Sequence, residues 1–196
     1  MKQEKFEHDT FFHVYNRGNN KEDIFIEDKN YSYFLKLIKD HLLGVAEIYA
    51  YCLLKNHFHL IIRIKDKNEI PVKYVDKIHL PFSNFFNAYT KSINKAYNRT
   101  GSLFQEHLKR NIIQDENYLR NLVLYVHLNP VKHKFCDDFR EYKYTSFLSY
   151  TSDKPSNLSR EYVLELFGGK ENFIFQHKES MIKYEGVVNE IDDFDY

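Results

Sequence analysis

Residues 45–65 read VAEIYAYCLLKNHFHLIIRIK, and the fold turns on how they are read. Two runs rich in β-branched and aromatic residues meet tightly around Lys55-Asn56, which is the pattern of a β-hairpin. Along the second run, successive side chains alternate between the two faces of a strand. Phe58, Leu60, Ile62 and Ile64 share one face, which is uniformly apolar and suited to lie under helices. His57, His59, Ile61, Arg63 and Lys65 share the other. The two histidines are about 6–7 Å apart at Cα by strand rise. They are either satisfied structural histidines or a pair of nitrogen donors close enough to grip one metal ion.

The segments on either side of the hairpin complete a recognisable order. TFFHVYNRGNN (10–20) reads as a strand running into a Gly/Asn turn. EDKNYSYFLKLIKDHLLG (27–44) has apolar residues at helical spacing and a glycine stop at Gly44. After the hairpin comes a polar connector with two prolines (66–81), a second helix over 82–101, and a fourth strand within SLFQEHLKRNIIQD (102–115). Asp115 is placed to cap a third helix, ENYLRNLVLYVHLNP (116–130), which should stop near Pro130. Strand, helix, strand, strand, helix, strand predicts an α+β chain with a ferredoxin-like antiparallel sheet and helices on one face. The tyrosine-bearing third helix and a C-terminal extension are additions to it. The expected division is 1–150 for the main domain and 151–196 for a helical extension, with helices near SREYVLELFGG and KENFIFQHKESMIKYEG and an acidic tail.

Composition narrows the class without naming a function. At 196 residues, 43% hydrophobic and 29% charged, the chain suits one globular domain with a proper core. No run approaches 18 apolar residues, so no membrane partner is expected. The first ten residues lack the apolar core of a secretory signal, and the two cysteines, Cys52 and Cys136, make no framework, which fits a cytoplasmic location. The net charge is zero, but the last twelve residues hold five acids and no base, so residues 1–184 carry 28 basic against 23 acidic side chains. That balance is compatible with a phosphate backbone and equally with a mixed-charge solvated surface. Sixteen Tyr and 17 Phe with no Trp would supply a core and could also supply base-stacking rings.

The third helix adds a second chemical group. Asn117, Asn121, Tyr125 and Asn129 are spaced by four, beside an apolar stripe of Leu119, Leu122, Val123 and Val126. If the polar stripe faces the histidine side of the sheet, Tyr125 approaches a metal held there and Asn129, one turn on, adds an oxygen ligand. A divalent ion held by two imidazoles and an amide oxygen can polarise a phosphodiester, and a phenol can attack the phosphorus. The products would be a phosphotyrosine and a free 3′-hydroxyl. Arg17, Lys109 and Arg110 are candidate phosphate contacts on chemical grounds.

These residues resemble a known family. NHFHLII looks like the HUH motif, and YVHLNPV resembles the Tyr-x-x-x-Asn-Pro motif of the single-tyrosine HUH transposases, insertion-sequence and REP-associated types above all. The resemblance extends through FFHVYNRGNN, YTKSINKAYNRTGSLFQEHLKRNII and YKYTSF, the last near the family's usual tryptophan-serine-serine stretch. It implies a DNA transposase that binds single-stranded DNA beside hairpins and cuts and rejoins it through a covalent 5′-phosphotyrosine, using Mg²⁺ or Mn²⁺. Carried over by position, His57 and His59 would be metal ligands and Tyr125 the nucleophile. Asn129 stands where relatives place a Gln or another polar ligand. Relatives include swapped dimers and monomers, so a homodimer is one possible assembly. Three other readings stay open: a domesticated hairpin-binding or nicking relative that no longer transposes, a non-catalytic ferredoxin-like nucleic-acid-binding module, and a metallohydrolase with a structural Tyr125.

Overall fold

A computed structural model describes residues 4–186; the acidic stretch beyond them lies outside the described residues. Four strands, β1 (Phe11–Arg17), β2 (Ala46–Leu54), β3 (His57–Ile64) and β4 (Lys109–Ile112), form one sheet in the order β2-β3-β1-β4. Each neighbouring pair is antiparallel. Helices α1 (Asp28–His41) and α2 (His79–Ala96) connect β1 to β2 and β3 to β4. This is the predicted ferredoxin-like arrangement.

Local chemistry explains the element ends. Glu27 and Asn30 cap α1 reciprocally, closing donors that a helix start otherwise leaves open. α2 begins at His79, three residues before the expected start, because Pro81 lies in the first turn, where its missing N–H costs nothing. Asp115 caps α3 (Glu116–Lys132) by accepting from the Tyr118 amide at 2.8 Å. That helix runs two residues past Pro130 rather than stopping there. Gly18, after β1, is the position with no room for a side chain: a Cβ there would stand 1.9 Å from the Glu22 carbonyl oxygen. Its amide donates to the Asn56 carbonyl at 2.7 Å, so the loop after β1 is tied to the hairpin turn.

Two cores flank the sheet. Phe58, Leu60, Ile62 and Ile64 pack with Phe34, Ile38, Phe82, Phe85 and Tyr89 of α1 and α2, as the alternation along β3 requires. The opposite face is also covered. Ile61, Ala50, Cys52 and Leu54 meet Leu119, Leu122, Val123 and Val126 of α3, together with aromatic residues from the C-terminal helices. Those helices are α4 (Phe147–Thr151), α5 (Arg160–Leu166) and α6 (Lys170–Gly186). A bulge at Tyr49 shifts the register of β2 against β3 and turns Tyr49 and Ala50 to the same face. Each fully buried large side chain contributes roughly 1.5–3 kcal/mol by removal from water.

A buried polar chain ties this second layer together. The His177 Nδ1–H donates to the Phe173 carbonyl at 2.7 Å, which leaves its Nε2 to accept from His127 Nδ1 at 2.8 Å. His127 Nε2 then accepts from the Ser146 hydroxyl at 2.7 Å, and Ser146 Oγ in turn accepts from the Tyr51 amide. Both imidazoles are neutral in this scheme. Burial holds His127 well below the ordinary imidazole range and pushes His177 down to about 4. The unfolded chain, titrating near 6.5, therefore binds more protons than the fold as pH falls. Stability should be fully present above pH 6.5 and decline towards pH 4, by on the order of 3 kcal/mol from His177 alone. Urea unfolding across pH 7.5 to 4 measures this; a midpoint constant over that window would contradict the neutral pair.

Candidate active site

β1 and β3 run antiparallel with Arg17 opposite His57 and Tyr15 opposite His59. Strand alternation therefore places His57, His59, Tyr15 and Arg17 on the face that α3 covers. β4 joins the other side of β1, with Lys109 opposite Tyr15. A small cleft opens at this end of the sheet, lined by Tyr15, Asn16, Arg17, His57, Phe58, His59, Gln105 and Lys109. Among the described residues no carboxylate lines it. Two cations and neutral polar groups suit an anionic ligand.

α3 lies directly over the histidine pair. Asn129 Oδ1 is 3.3 Å from His57 Nε2, and the Tyr125 ring stands edge-on to His59 with centroids 5.6 Å apart. The Lys132 ammonium lies 5.1 Å over the Tyr125 ring. Tyr125 is 2% exposed and Asn129 wholly buried. His57 Nδ1 faces Asn56 Oδ1 at 2.7 Å, and His59 Nδ1 faces His13 Nε2 at 2.9 Å. Among the described residues no three His, Cys, Asp or Glu side chains gather to hold a metal. The nitrogen and oxygen atoms that β3 and α3 bring together here are imidazole nitrogens and the Asn129 amide oxygen.

The structure thus brings His57, His59, Tyr125 and Asn129 together, with Arg17 and Lys109 at the cleft. Arg110 is elsewhere: it alternates to the other face opposite Val14, bonds the Glu4 carbonyl through Nε, and lies 4.4 Å over the Phe6 ring. Asn117 and Asn121 are exposed, so the four-residue stripe on α3 is split between solvent and the site. Sequence reading passed over His13, Tyr15, Asn56 and Lys132. For the first two a signal existed: FFHVY alternates, and setting it antiparallel beside β3 puts His13 and Tyr15 next to the imidazoles.

No family model matches the chain. Over 104 residues it is 25% identical to a Haemophilus influenzae protein provisionally named a REP-associated tyrosine transposase, a match covering 52% of this chain and 58% of that protein. Over that stretch the chain is similar to a REP-associated tyrosine transposase. A solved REP-associated tyrosine transposase, bound to a REP hairpin, superposes with a TM-score of 0.58 at 18% identity, covering 79% of this chain and 88% of that one. None of the helices among the described residues is long and apolar enough to cross a membrane.

Proposed function

We propose that this chain nicks and rejoins single-stranded DNA beside hairpins through a covalent 5′-phosphotyrosine at Tyr125, with Mg²⁺ or Mn²⁺ held by His57, His59 and Asn129. The observation that carries this reading is the seat of α3 on β3, which sets a phenol and an amide oxygen against a pair of imidazoles within one chain. The hairpin in the solved relative supports hairpin DNA as the partner. Two free cysteines, Cys52 buried and Cys136 half-buried, agree with a cytoplasmic protein.

The donor set fits a small divalent cation. Asn56 Oδ1 is an acceptor, so His57 carries its proton on Nδ1, and its Nε2 lone pair is turned towards Asn129 Oδ1. Their 3.3 Å separation lets the two atoms share one cation as well as one proton. Neighbouring ligands of an octahedral ion with bonds near 2.1 Å are about 3 Å apart. When bound, the ion supplies Lewis-acid polarisation of the scissile phosphate.

The chain's own groups do the rest. The Tyr125 oxygen attacks phosphorus as its proton leaves; the bond from phosphorus to the 3′-oxygen breaks, and that oxygen takes up a proton. Lys132 over the ring favours the negative charge that builds on the phenol during attack. Attack by a second 3′-hydroxyl reverses the step and joins a new strand. Because Tyr125 is buried, DNA entry requires α3 or the ring to move towards the cleft. That burial also favours one rival, a hairpin-binding module in which the phenol only packs.

Incubation with Mn²⁺ and end-labelled single-stranded DNA carrying hairpins separates the two readings. Transposase chemistry gives a protein–DNA adduct that survives a denaturing gel. Binding without an adduct under any metal would support the module. Affinity should also fall with salt, because Lys109 neutralises phosphate at the cleft; Lys109→Gln should reduce the slope of log K against log salt by about 1. An unchanged slope in that variant would remove Lys109 from the DNA path.

A further inference from the structure

His13 is wholly buried on β1, outside the set assigned above, and its ring stacks on Tyr15 with centroids 4.8 Å apart. It sits diagonally across from His59, and their nitrogens, His13 Nε2 and His59 Nδ1, are 2.9 Å apart. Two neutral imidazoles joined by one hydrogen bond have two arrangements, since one nitrogen must donate and the other accept. If His59 accepted at Nδ1, its proton would sit on Nε2, and no nitrogen would be left to ligate a cation. If His13 accepts, His59 is protonated on Nδ1 and keeps a lone pair on Nε2.

We propose that His13 is a positioning residue that holds His59 in the Nδ1–H form, so that its Nε2 is presented to a divalent cation; this rests on the metal site of the preceding section. The second histidine supplies the internal argument. His57 is fixed through the same ring atom, Nδ1, by the Asn56 oxygen at 2.7 Å. Both members of the pair are thus held from behind by a neutral acceptor, one an amide and one an imidazole. Partners of this kind orient ligating histidines and raise their basicity. A carboxylate would serve the same purpose but would add negative charge beside a cleft meant for phosphate. An imidazole acceptor avoids that. Stacking on Tyr15 keeps the His13 ring in the plane the hydrogen bond needs.

The test uses the full chain, with Mn²⁺ alone as the probe, followed by electron paramagnetic resonance of free Mn²⁺. His13→Phe keeps a ring and removes the acceptor; His13→Gln keeps an acceptor. The expected result is a 10–100-fold weaker Mn²⁺ affinity in H13F and recovery to within several-fold in H13Q. A second readout does not depend on any variant folding: long-range ¹H–¹⁵N spectra of the unsubstituted protein should show His59 protonated at Nδ1. Protonation at Nε2, or an H13F affinity equal to that of the unsubstituted chain while His59→Ala binds no Mn²⁺, would overturn the inference alone. Mn²⁺ binding unchanged in His57→Ala and His59→Ala would instead remove the metal site itself, and the inference with it.

Discussion

Tyr125→Phe is expected to abolish the covalent protein–DNA adduct while leaving hairpin binding and the fold in place. The substitution removes one oxygen from a side chain that is 2% exposed and keeps the ring that packs edge-on against His59. Packing loss should be small, because the ring's apolar contacts and volume are retained. The chemical loss should be complete, since nothing else on α3 at that position can attack phosphorus. Loss of a nucleophile commonly costs several orders of magnitude in rate, so the adduct should drop below detection. Affinity for the hairpin should stay within a few-fold, because Arg17 and Lys109 at the cleft are untouched. An adduct of undiminished yield in Y125F would mean that another residue is the nucleophile. Strand cleavage without an adduct in both proteins would point to a hydrolase that uses water.

His57→Ala should produce the second large effect, for a different reason. It removes the imidazole whose Nε2 faces Asn129 Oδ1, and so one of three neutral donors. A set with no carboxylate has little affinity to spare for a hard cation, which prefers charged oxygen ligands. Mn²⁺ binding should fall by at least tenfold, and the adduct should disappear at metal concentrations that saturate the unsubstituted protein. Higher Mn²⁺ should restore part of the adduct yield, because the phenol remains. Tyr125→Phe should not respond to Mn²⁺ at all. That contrast separates a ligand from a nucleophile. Imidazole donors also suit Mn²⁺ better than Mg²⁺, so Mn²⁺ should support adduct formation at the lower concentration.

How much of this was legible in the sequence depended on how local each feature is. The alternation along β3 sorts Phe58, Leu60, Ile62 and Ile64 from His57, His59 and Ile61 without reference to anything distant, and the two cores follow that sorting. Asp115 announces the start of α3 through one side-chain bond three residues long. The stripe on α3 was only half right, and helical geometry says why. Four residues make about 400° of turn, so a row spaced by four drifts about 40° at each step. From Asn117 to Asn129 the row rotates by about a third of the circumference, which carries one end into solvent and the other into the site. The cover on the histidine face was harder to see. Leu119, Leu122, Val123, Tyr125, Val126, Leu128 and Asn129 are all buried, because α3 is sandwiched between the sheet and α6. A helix buried on most of its surface has no clean stripe to read.

The site shows the same division. His57 and His59 are two positions apart in sequence, and Tyr125 with Asn129 occupies one helical turn, so both pairs were visible; their contact, across more than sixty residues, required the fold. His13 and Asn56 act behind the pair, and a hydrogen bond between β1 and β3 leaves no mark on either segment alone. Ser146 and His127 carry a further lesson. Both lie in stretches that carry the family resemblance, yet here they bond each other and His177 and fasten α3 to β2 and α6. Their effect on the site is to fix where α3 sits.

The most direct measurement is mass spectrometry of the trapped adduct after nuclease and trypsin digestion. Cleavage after Arg120 and Lys132 releases NLVLYVHLNPVK, which contains Tyr125 and no other tyrosine. The expected product is this peptide carrying a 5′-linked nucleotide on the Tyr125 oxygen, in a reaction that requires Mg²⁺ or Mn²⁺. A nucleotide on any other peptide, or cut hairpin DNA with this peptide unmodified throughout, would contradict that expectation.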